Sequence, residues 1–345
     1  MKLLFAGLGS IGQRHVRNVR SLLGASVELL AYRVCRTSAL LTDSFDVNPS
    51  SSVEAEYGIR SFDNLEPALA EQPAAVFVCN PTSSHLAVAL AAARAGCHLF
   101  IEKPLSDRAD GVDDLIACVG ENNLVALVGH QMRFHPALQR LRTLLDRHAI
   151  GRLVSAHVAI GEFLPGAHPY EDYRHSYAGR ADLGGGVVLS QSHELDYVRW
   201  LFGMPRRVLA VGGHLSDLDI DVEDTADSLL ECVVDQRPVA VHVAQDFVRR
   251  PPVQTCEIVG ECGRIRVDLR APLLELFDGN GRLVECQSFR DFSRNDLFMS
   301  ELRHFLACLD GRETPVVSLR DAAGSLRLAL AIKQSIVTGE TVRLS

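Results

Sequence analysis

Three runs hold residues whose types and spacing suit chemistry. In Gly7-Leu-Gly-Ser-Ile-Gly12 the glycines are spaced G-x-G-x-x-G, after the apolar run Leu3–Ala6 and before the amphipathic stretch Ile11–Leu23. That order reads strand, turn, helix. Gly7 permits a tight turn, Gly9 leaves the backbone open to a pyrophosphate, and Gly12 lets the helix approach the strand. Free N–H groups and the helix dipole then face an anion. Glu102-Lys103-Pro104 sets an amine beside a carboxylate, directly after the apolar run His98–Ile101. Near a cationic ring, and partly buried, a lysine loses proton affinity and becomes a general acid or base. Glu102 is placed to meet ribose hydroxyls or to orient the site, and a cis Lys103–Pro104 bond fits the turn. On an exposed loop the same triplet is an ordinary ion pair, so its meaning rests on its place at a strand end.

In the third run, Gly184-Gly-Gly-Val-Val-Leu-Ser-Gln-Ser-His-Glu-Leu-Asp196, a glycine turn leads into a helix. Ser190 and His193 stand at i and i+3 and share a face. A histidine there exchanges protons near neutral pH, or else is a hydrogen-bonded structural residue. The loop Tyr170–Arg180 offers Arg174, His175, Tyr177 and Arg180 to the hydroxyls, carboxylate or phosphate of a ligand, or is a solvated connection. Arg33 follows the strand Val27–Ala31, where an Asp or Glu would hold a ribose 2′-hydroxyl. With Arg36 close behind, Arg33 suits a 2′-phosphate and favours NADP over NAD. Stacking on adenine and plain solvation are its other readings.

The elements that position these groups alternate. Strand-like runs at Leu3–Ala6, Val27–Ala31, Gly58–Phe62, Ala74–Cys79, His98–Ile101 and Leu124–Val128 are separated by helical stretches, with a polar loop expected over Ser44–Tyr57. Such alternation predicts an α/β, doubly wound parallel sheet with its ligand crevice at the carboxyl ends of the strands. The three motif turns Gly7–Gly12, Asn80–His85 and Glu102–Pro104 all fall at such ends. After about residue 130 a helix over Phe134–Leu145 leads to strands with short turns: Gly151–Glu162, then six from Val208 to Phe277. These predict a second, α+β domain with a large open mixed or antiparallel sheet. The expected division is 1–125 and 126–345, and the last helix, Leu319–Thr338, is long enough to return to the first domain.

The chain has 345 residues, 47% hydrophobic and 23% charged, and a net charge of −8. That acidic balance argues against a nucleic-acid surface. No run reaches the roughly 18 apolar residues of a membrane span, and the N-terminus lacks a signal-peptide pattern. Nine cysteines, odd in number and without C-x-x-C, predict neither a disulfide framework nor a zinc site and suit a reducing cytoplasm. His130 and His135 lack partners at metal-ligand spacing.

Taken together, Gly7–His15, Asn80-Pro81-Thr82 with His85, Glu102-Lys103-Pro104, Arg133-Phe134-x-Pro136, Gly184-Gly-Gly with His193 and Asp196, and the Ser325–Ile332 helix resemble the Gfo/Idh/MocA family of NAD(P)-dependent oxidoreductases. The resemblance spans nearly the whole chain. It implies a Rossmann domain and a C-terminal domain whose open sheet builds a homodimer or homotetramer. It also implies oxidation or reduction of a sugar, cyclitol or nucleotide-sugar derivative at a carbinol carbon. Lys103 then takes the family's acid/base role, with His193 as second catalytic residue. Cofactor contacts fall to Gly7, Gly9, Ser10, Ile11, Gly12, Arg33, Asn80, Pro81, His85, Glu102 and Lys103. Substrate contacts fall to Arg133, Arg174, Tyr177, Ser190 and His193. Many relatives have Asp where Ser190 stands, which leaves room for a non-catalytic sensor or an NAD-recycling glycosidase or lyase on the same scaffold.

Overall fold

Apolar strands and amphipathic helices alternate from the first residue to Gly129. A computed structural model describes residues 1–34, 40–42, 47–48 and 52–344 of the chain. The first half runs β1 (Lys2–Ala6), α1 (Ser10–Leu23), β2 (Glu28–Tyr32), the short pair β3 (Leu40–Leu41) and β4 (Val47–Asn48), α2 (Val53–Tyr57), β5 (Ile59–Phe62) and α3 (Leu65–Ala70). It continues through β6 (Ala75–Val78), α4 (Thr82–Arg94), β7 (His98–Glu102), α5 (Val112–Glu121) and β8 (Ala126–Gly129). Six of these strands form one parallel sheet in the order β5-β2-β1-β6-β7-β8. Both faces are covered, which explains why its strands read as continuous apolar runs.

The second half begins with α6 (Pro136–Asp146), opened by Pro136 and capped by the His135 ring, which accepts from the Ala137 N–H. Then come β9 (Leu153–Gly161), α7 (Leu164–Ala167), α8 (Val187–Ser190) and α9 (Ser192–Phe202). The strands β10 (Arg207–Gly213), β11 (Thr225–Val234), β12 (Arg237–Asp246), β13 (Val253–Gly260), β14 (Gly263–Asp268), β15 (Leu273–Asp278) and β16 (Leu283–Ser288) follow, then α10 (Arg294–Leu309), α11 (Leu319–Thr338) and β17 (Val342–Arg343). Their sheet has nine strands in the order β16-β15-β14-β13-β9-β12-β11-β10-β17. Only the β9–β12 pairing is parallel, so the sheet is mixed.

Side chains of the parallel sheet alternate between two cores. Leu4, Ala6, Val76, Val78, Leu99 and Ile101 face α4, α5 and the second half of the chain. Leu3, Phe5, Phe77, Phe100 and Leu127 face α1 and, from far along the chain, Leu302 and Phe305 of α10. Phe77 and Phe100 stack at 5.0 Å between ring centroids, and Phe305 stands edge-on to both at 5.7 and 5.4 Å. α11 reaches the same sheet at β8 and α5. Late helices therefore complete the cover of an early sheet.

The polar stretch expected as a loop over Ser44–Tyr57 contains the helix α2. Ser52 accepts from the Ala55 N–H at its start, Val53 is buried, and Gly58 ends it in the left-handed region at φ 60°. Strand β16 was not expected; its residues are mostly exposed and show no apolar alternation.

Phe305→Ala removes an aromatic ring buried among others, and a loss of about 3–5 kcal/mol is expected in urea-induced unfolding. A loss below about 1 kcal/mol would mean that α10 does not close this face.

Candidate active site

The glycine turn is built by close approach. Gly7 has φ +101°, and a Cβ there would meet the Cys79 carbonyl oxygen at 2.8 Å and the Asn80 nitrogen at 2.9 Å. A Cβ on Gly12 would lie 2.3 Å from the Gly7 carbonyl oxygen, whereas one on Gly9 would meet nothing within 4 Å. The turn is thus closed below and open above, as a backbone cradle for an anion must be. Beside it, the Asn80 amide oxygen is buried with no protein partner. Such an orphaned group next to an open cradle suits a nucleotide ligand.

Side chains tie the three strand-end turns together. His85, buried on α4, sits 2.8 Å from both the Pro104 and the Asn80 carbonyl oxygens. Burial outweighs these carbonyls and holds the ring below the usual histidine range. The neutral ring donates to one of the two. His85 is therefore a brace inside the wall, which corrects its expected role as a cofactor contact. His15, wholly buried on α1, donates from Nε2 to Glu102 Oε1 at 2.6 Å. Glu102 Oε2 accepts from the Lys103 backbone N–H at 3.3 Å. Both carboxylate oxygens thus carry a bond within the protein. Burial works against its ionisation, but the His15 bond and nearby cations outweigh it and keep the carboxyl below the usual range.

Lys103 leaves the end of β7 through a cis Lys103–Pro104 peptide. Its Nζ donates to the Ser190 carbonyl oxygen at 2.6 Å. The expected pair of Lys103 and the Gly184–Asp196 segment is thereby brought together, through the backbone of residue 190. Ser190 Oγ is buried without a partner. His193, at the start of α9, keeps some exposed surface but its Nδ1 is enclosed and unpartnered. Burial, then Lys103, His130 and Arg294, push this ring well below the usual range, so it is neutral at pH 7. The His130 ring stands edge-on to it at 5.7 Å.

Several expected contacts are redirected. Arg133 is buried, and its guanidinium forks onto Asp196 with Nε and Nη2 bonds of 2.8 Å each, while Nη1 donates to the Val316 carbonyl. All three nitrogens are used, so Arg133 is a structural ion pair rather than a substrate contact. Arg174 forks onto Asp172 and Arg180 onto Asp182 at the surface, which neutralises the two expected anion binders. Arg33 is also buried and paired, with Glu54 of α2. Arg36 lies outside the described residues. Ser10, Ile11 and Pro81 are partly or fully exposed, and Tyr177 is half-buried in the loop.

That loop supplies two groups not expected from the sequence. The Tyr170 hydroxyl bonds Ser10 of the glycine turn and shares a hydrogen bond with His168 Nδ1 at 3.1 Å. Burial pushes Tyr170 up to about 12. Burial, then Arg294 and Lys103, push His168 down to about 4. Arg294, the first residue of α10, acts electrostatically on both His168 and His193, and Glu194, next to His193, is fully buried. The Glu194 carboxyl, with one oxygen bound by Gln254 at 2.8 Å, is raised to about 7, mainly by burial.

Residues 1–130 match the model of the Gfo/Idh/MocA oxidoreductase family, NAD-binding Rossmann fold, and residues 138–266 match the Gfo/Idh/MocA C-terminal domain. The chain is 27% identical to myo-inositol 2-dehydrogenase of Thermotoga maritima, over 100% of this chain and 98% of that protein. It is 26% identical to scyllo-inositol 2-dehydrogenase (NAD(+)) of Bacillus subtilis, over 98% and 94%. The solved structure of the WlbA dehydrogenase from Bordetella pertussis, in complex with NADH and UDP-GlcNAcA, has the same fold, with a TM-score of 0.80 at 22% identity over 100% of this chain and 99% of that one. Among the described residues no helix is long and apolar enough to cross a membrane.

The neutral His168 ring shares with Tyr170 the bond that fixes the loop. A histidine lowered on folding stabilises the fold above its unfolded pKa, and that stability is lost as pH falls through the folded value. Amide exchange over residues 163–176 is expected to rise as pH drops from 6.5 to about 4, after correction for intrinsic rates, and to rise less in His168→Gln. An unchanged profile in the variant would remove His168 from this role.

Proposed function

Since the chain belongs to the Gfo/Idh/MocA family of NAD-binding oxidoreductases, we propose that it is a dehydrogenase of a sugar, cyclitol or nucleotide-sugar derivative in which Lys103 and His193 handle the hydroxyl proton. The observation that carries this reading is the position of the Lys103 amine, at a strand end beside the glycine cradle and held by the Ser190 carbonyl. Lysine is rare here: of 35 basic residues only Lys2, Lys103 and Lys333 are lysines. Lys2 and Lys333 pair with Glu71 and Glu223. Guanidinium groups do not release protons, so Lys103 is the basic side chain of the cleft able to exchange one.

Gly7, Gly9, Ser10, Ile11 and Gly12 would hold the pyrophosphate, and Asn80 and Pro81 the next part of the cofactor. Bound there, the nicotinamide supplies the hydride acceptor or donor. The chain's own groups do the rest. Lys103 takes the hydroxyl proton in the oxidative direction and returns it in reduction. His193, neutral over the physiological range, accepts a hydrogen bond from the same or a neighbouring hydroxyl. Tyr170 and His168 close the cleft over the glycine turn and keep water from the reacting carbon.

The cofactor we assign is NAD. Arg33 favours NADP only as a free cation, and Glu54 neutralises it. Burial raises the Glu54 carboxyl, but its backbone bond and Arg33 outweigh this and keep it ionised. A 2′-phosphate would meet that carboxylate. The open face of the nine-stranded sheet, where Leu209 and Leu229 pair across strands and are exposed together with Val211, is the surface we assign to self-association.

A screen of inositols and UDP-sugars with NAD is expected to give absorbance at the reduced nicotinamide band, and Lys103→Ala to lower kcat by about 10²–10⁴-fold with NADH affinity retained. Undiminished turnover in that variant would overturn the role of Lys103. In fluorescence titration NADH is expected to bind at least ~10-fold more tightly than NADPH, and Glu54→Ala to narrow the gap. A preference for NADPH would overturn the Arg33–Glu54 argument.

A further inference from the structure

The groups buried behind Lys103 are mostly neutral. His85 on α4, His130 beside the end of β8 and His193 on α9 are pushed down, first by burial. Cys79 at the end of β6 and Glu301 on α10 are pushed up by burial and then by Glu102. His168 in the loop is neutral, and Glu194 on α9 titrates near 7. Asp196 is ionised but committed to Arg133, and Arg294 stands at the open side, among the charges that His168 and His193 feel. Among the described residues one buried carboxylate next to Lys103 in sequence remains charged, and that is Glu102, which interacts electrostatically with Lys103. Its ionisation depends on a single side-chain donor, His15 Nε2, at 2.6 Å. The His15 ring is locked by Phe77, Phe100 and Phe298, with centroids 5.7, 4.8 and 6.1 Å away. Gly129 leaves room for the carboxylate, since a Cβ there would lie 3.4 Å from Oε1.

We propose that His15 is a positioning residue for Lys103: by donating to Glu102 it keeps that carboxylate ionised, and the ionised carboxylate sets how tightly Lys103 holds its proton. This extends the acid–base reading given above, but its test does not depend on turnover. Without the donor, a buried carboxyl takes up a proton rather than stay charged. Lys103 then loses its neighbouring anion and releases its proton at lower pH. Removing the donor and removing the charge should therefore produce the same change at a third residue.

The three lysines make this measurable. Reductive methylation with ¹³C-formaldehyde gives one dimethyl-lysine signal each for Lys2, Lys103 and Lys333, besides the N-terminus, and the Lys103 signal is assigned by its loss in Lys103→Gln. In pH titrations of the full chain followed by NMR, Glu102→Gln and His15→Phe are each expected to lower the Lys103 midpoint by roughly one unit. His15→Gln, which keeps an N–H, should stay near the parent value, and Lys2 and Lys333 should not move in any variant. Should His15→Phe not fold, His15→Leu is the same test with a smaller side chain. The proposal is overturned if Glu102→Gln leaves the midpoint in place, if loss of the His15 donor does so while Glu102→Gln shifts it, or if His15→Gln shifts it as far as His15→Phe. Loss of turnover in Lys103→Ala tests the catalytic reading separately, so the two can fail independently.

Discussion

The 2.6 Å bond from Lys103 Nζ to the Ser190 carbonyl joins the two halves of the chain at the point where the chemistry is placed. Each end of that bond is fixed by its own half. On the lysine side, His85 braces the Pro104 and Asn80 turns and His15 anchors Glu102. On the carbonyl side, the short helix α8 follows a glycine turn held by Glu223. A Cβ on Gly186, at φ +101°, would lie 2.3 Å from Glu223 Oε1, so the carboxylate occupies the space a side chain would need. Lys333 of α11 binds both oxygens of Glu223, at 3.1 and 2.9 Å. The last long helix of the chain thus helps to set the position of the carbonyl that receives the lysine.

Buried ionic groups are a poor source of net stability, because desolvation offsets much of their attraction. Their arrangement here makes sense as positioning. Arg133 and Asp196 join the turn after β8 to α9, and Ser325 of α11 donates to the same carboxylate at 3.0 Å. Arg14 and Asn18 of α1 meet Asn295 of α10. Five consecutive residues where α8 meets α9 each carry a buried polar atom without a partner: Ser190 Oγ, Gln191 Oε1, Ser192 Oγ, His193 Nδ1 and Glu194 Oε2. Buried polar groups are nearly always satisfied in folded proteins, so a local excess of orphans marks a place organised for something other than stability.

What the sequence made legible follows from the range of the interactions. The glycine turn and the parallel strands are local patterns, and Lys103 stood out by lying just after one of those strands. His15 lies three residues past Gly12, but its partner is 87 residues away and no spacing rule connects them. Arg133 was misread for the same reason, since Asp196 lies 63 residues on. Arg174 and Arg180 are a different case. Their partners Asp172 and Asp182 are two residues away, so their neutralisation was readable locally. The pairing of Arg33 with Glu54 is not legible in the sequence, because Glu54 lies in the polar stretch that reads as a loop. Recognising Ser52 as a cap and Gly58 as a stop would have placed α2, and Glu54 on it.

Residue 190 shows how a departure from a pattern can preserve the geometry while changing the electrostatics. An aspartate carboxylate about 3 Å from an ammonium would interact by some 5 kcal/mol at an effective dielectric near 20. A hydrogen bond from a charged group to a neutral carbonyl contributes about 1.5–3 kcal/mol. The carbonyl of Ser190 therefore orients the lysine without neutralising it. A charge of opposite sign lies on the neighbouring residue, Glu102, which is buried and bonded to His15. Among the described residues no carboxylate pairs with the amine, whose bond is to the Ser190 carbonyl. A serine at this position is compatible with the proton transfer proposed for Lys103.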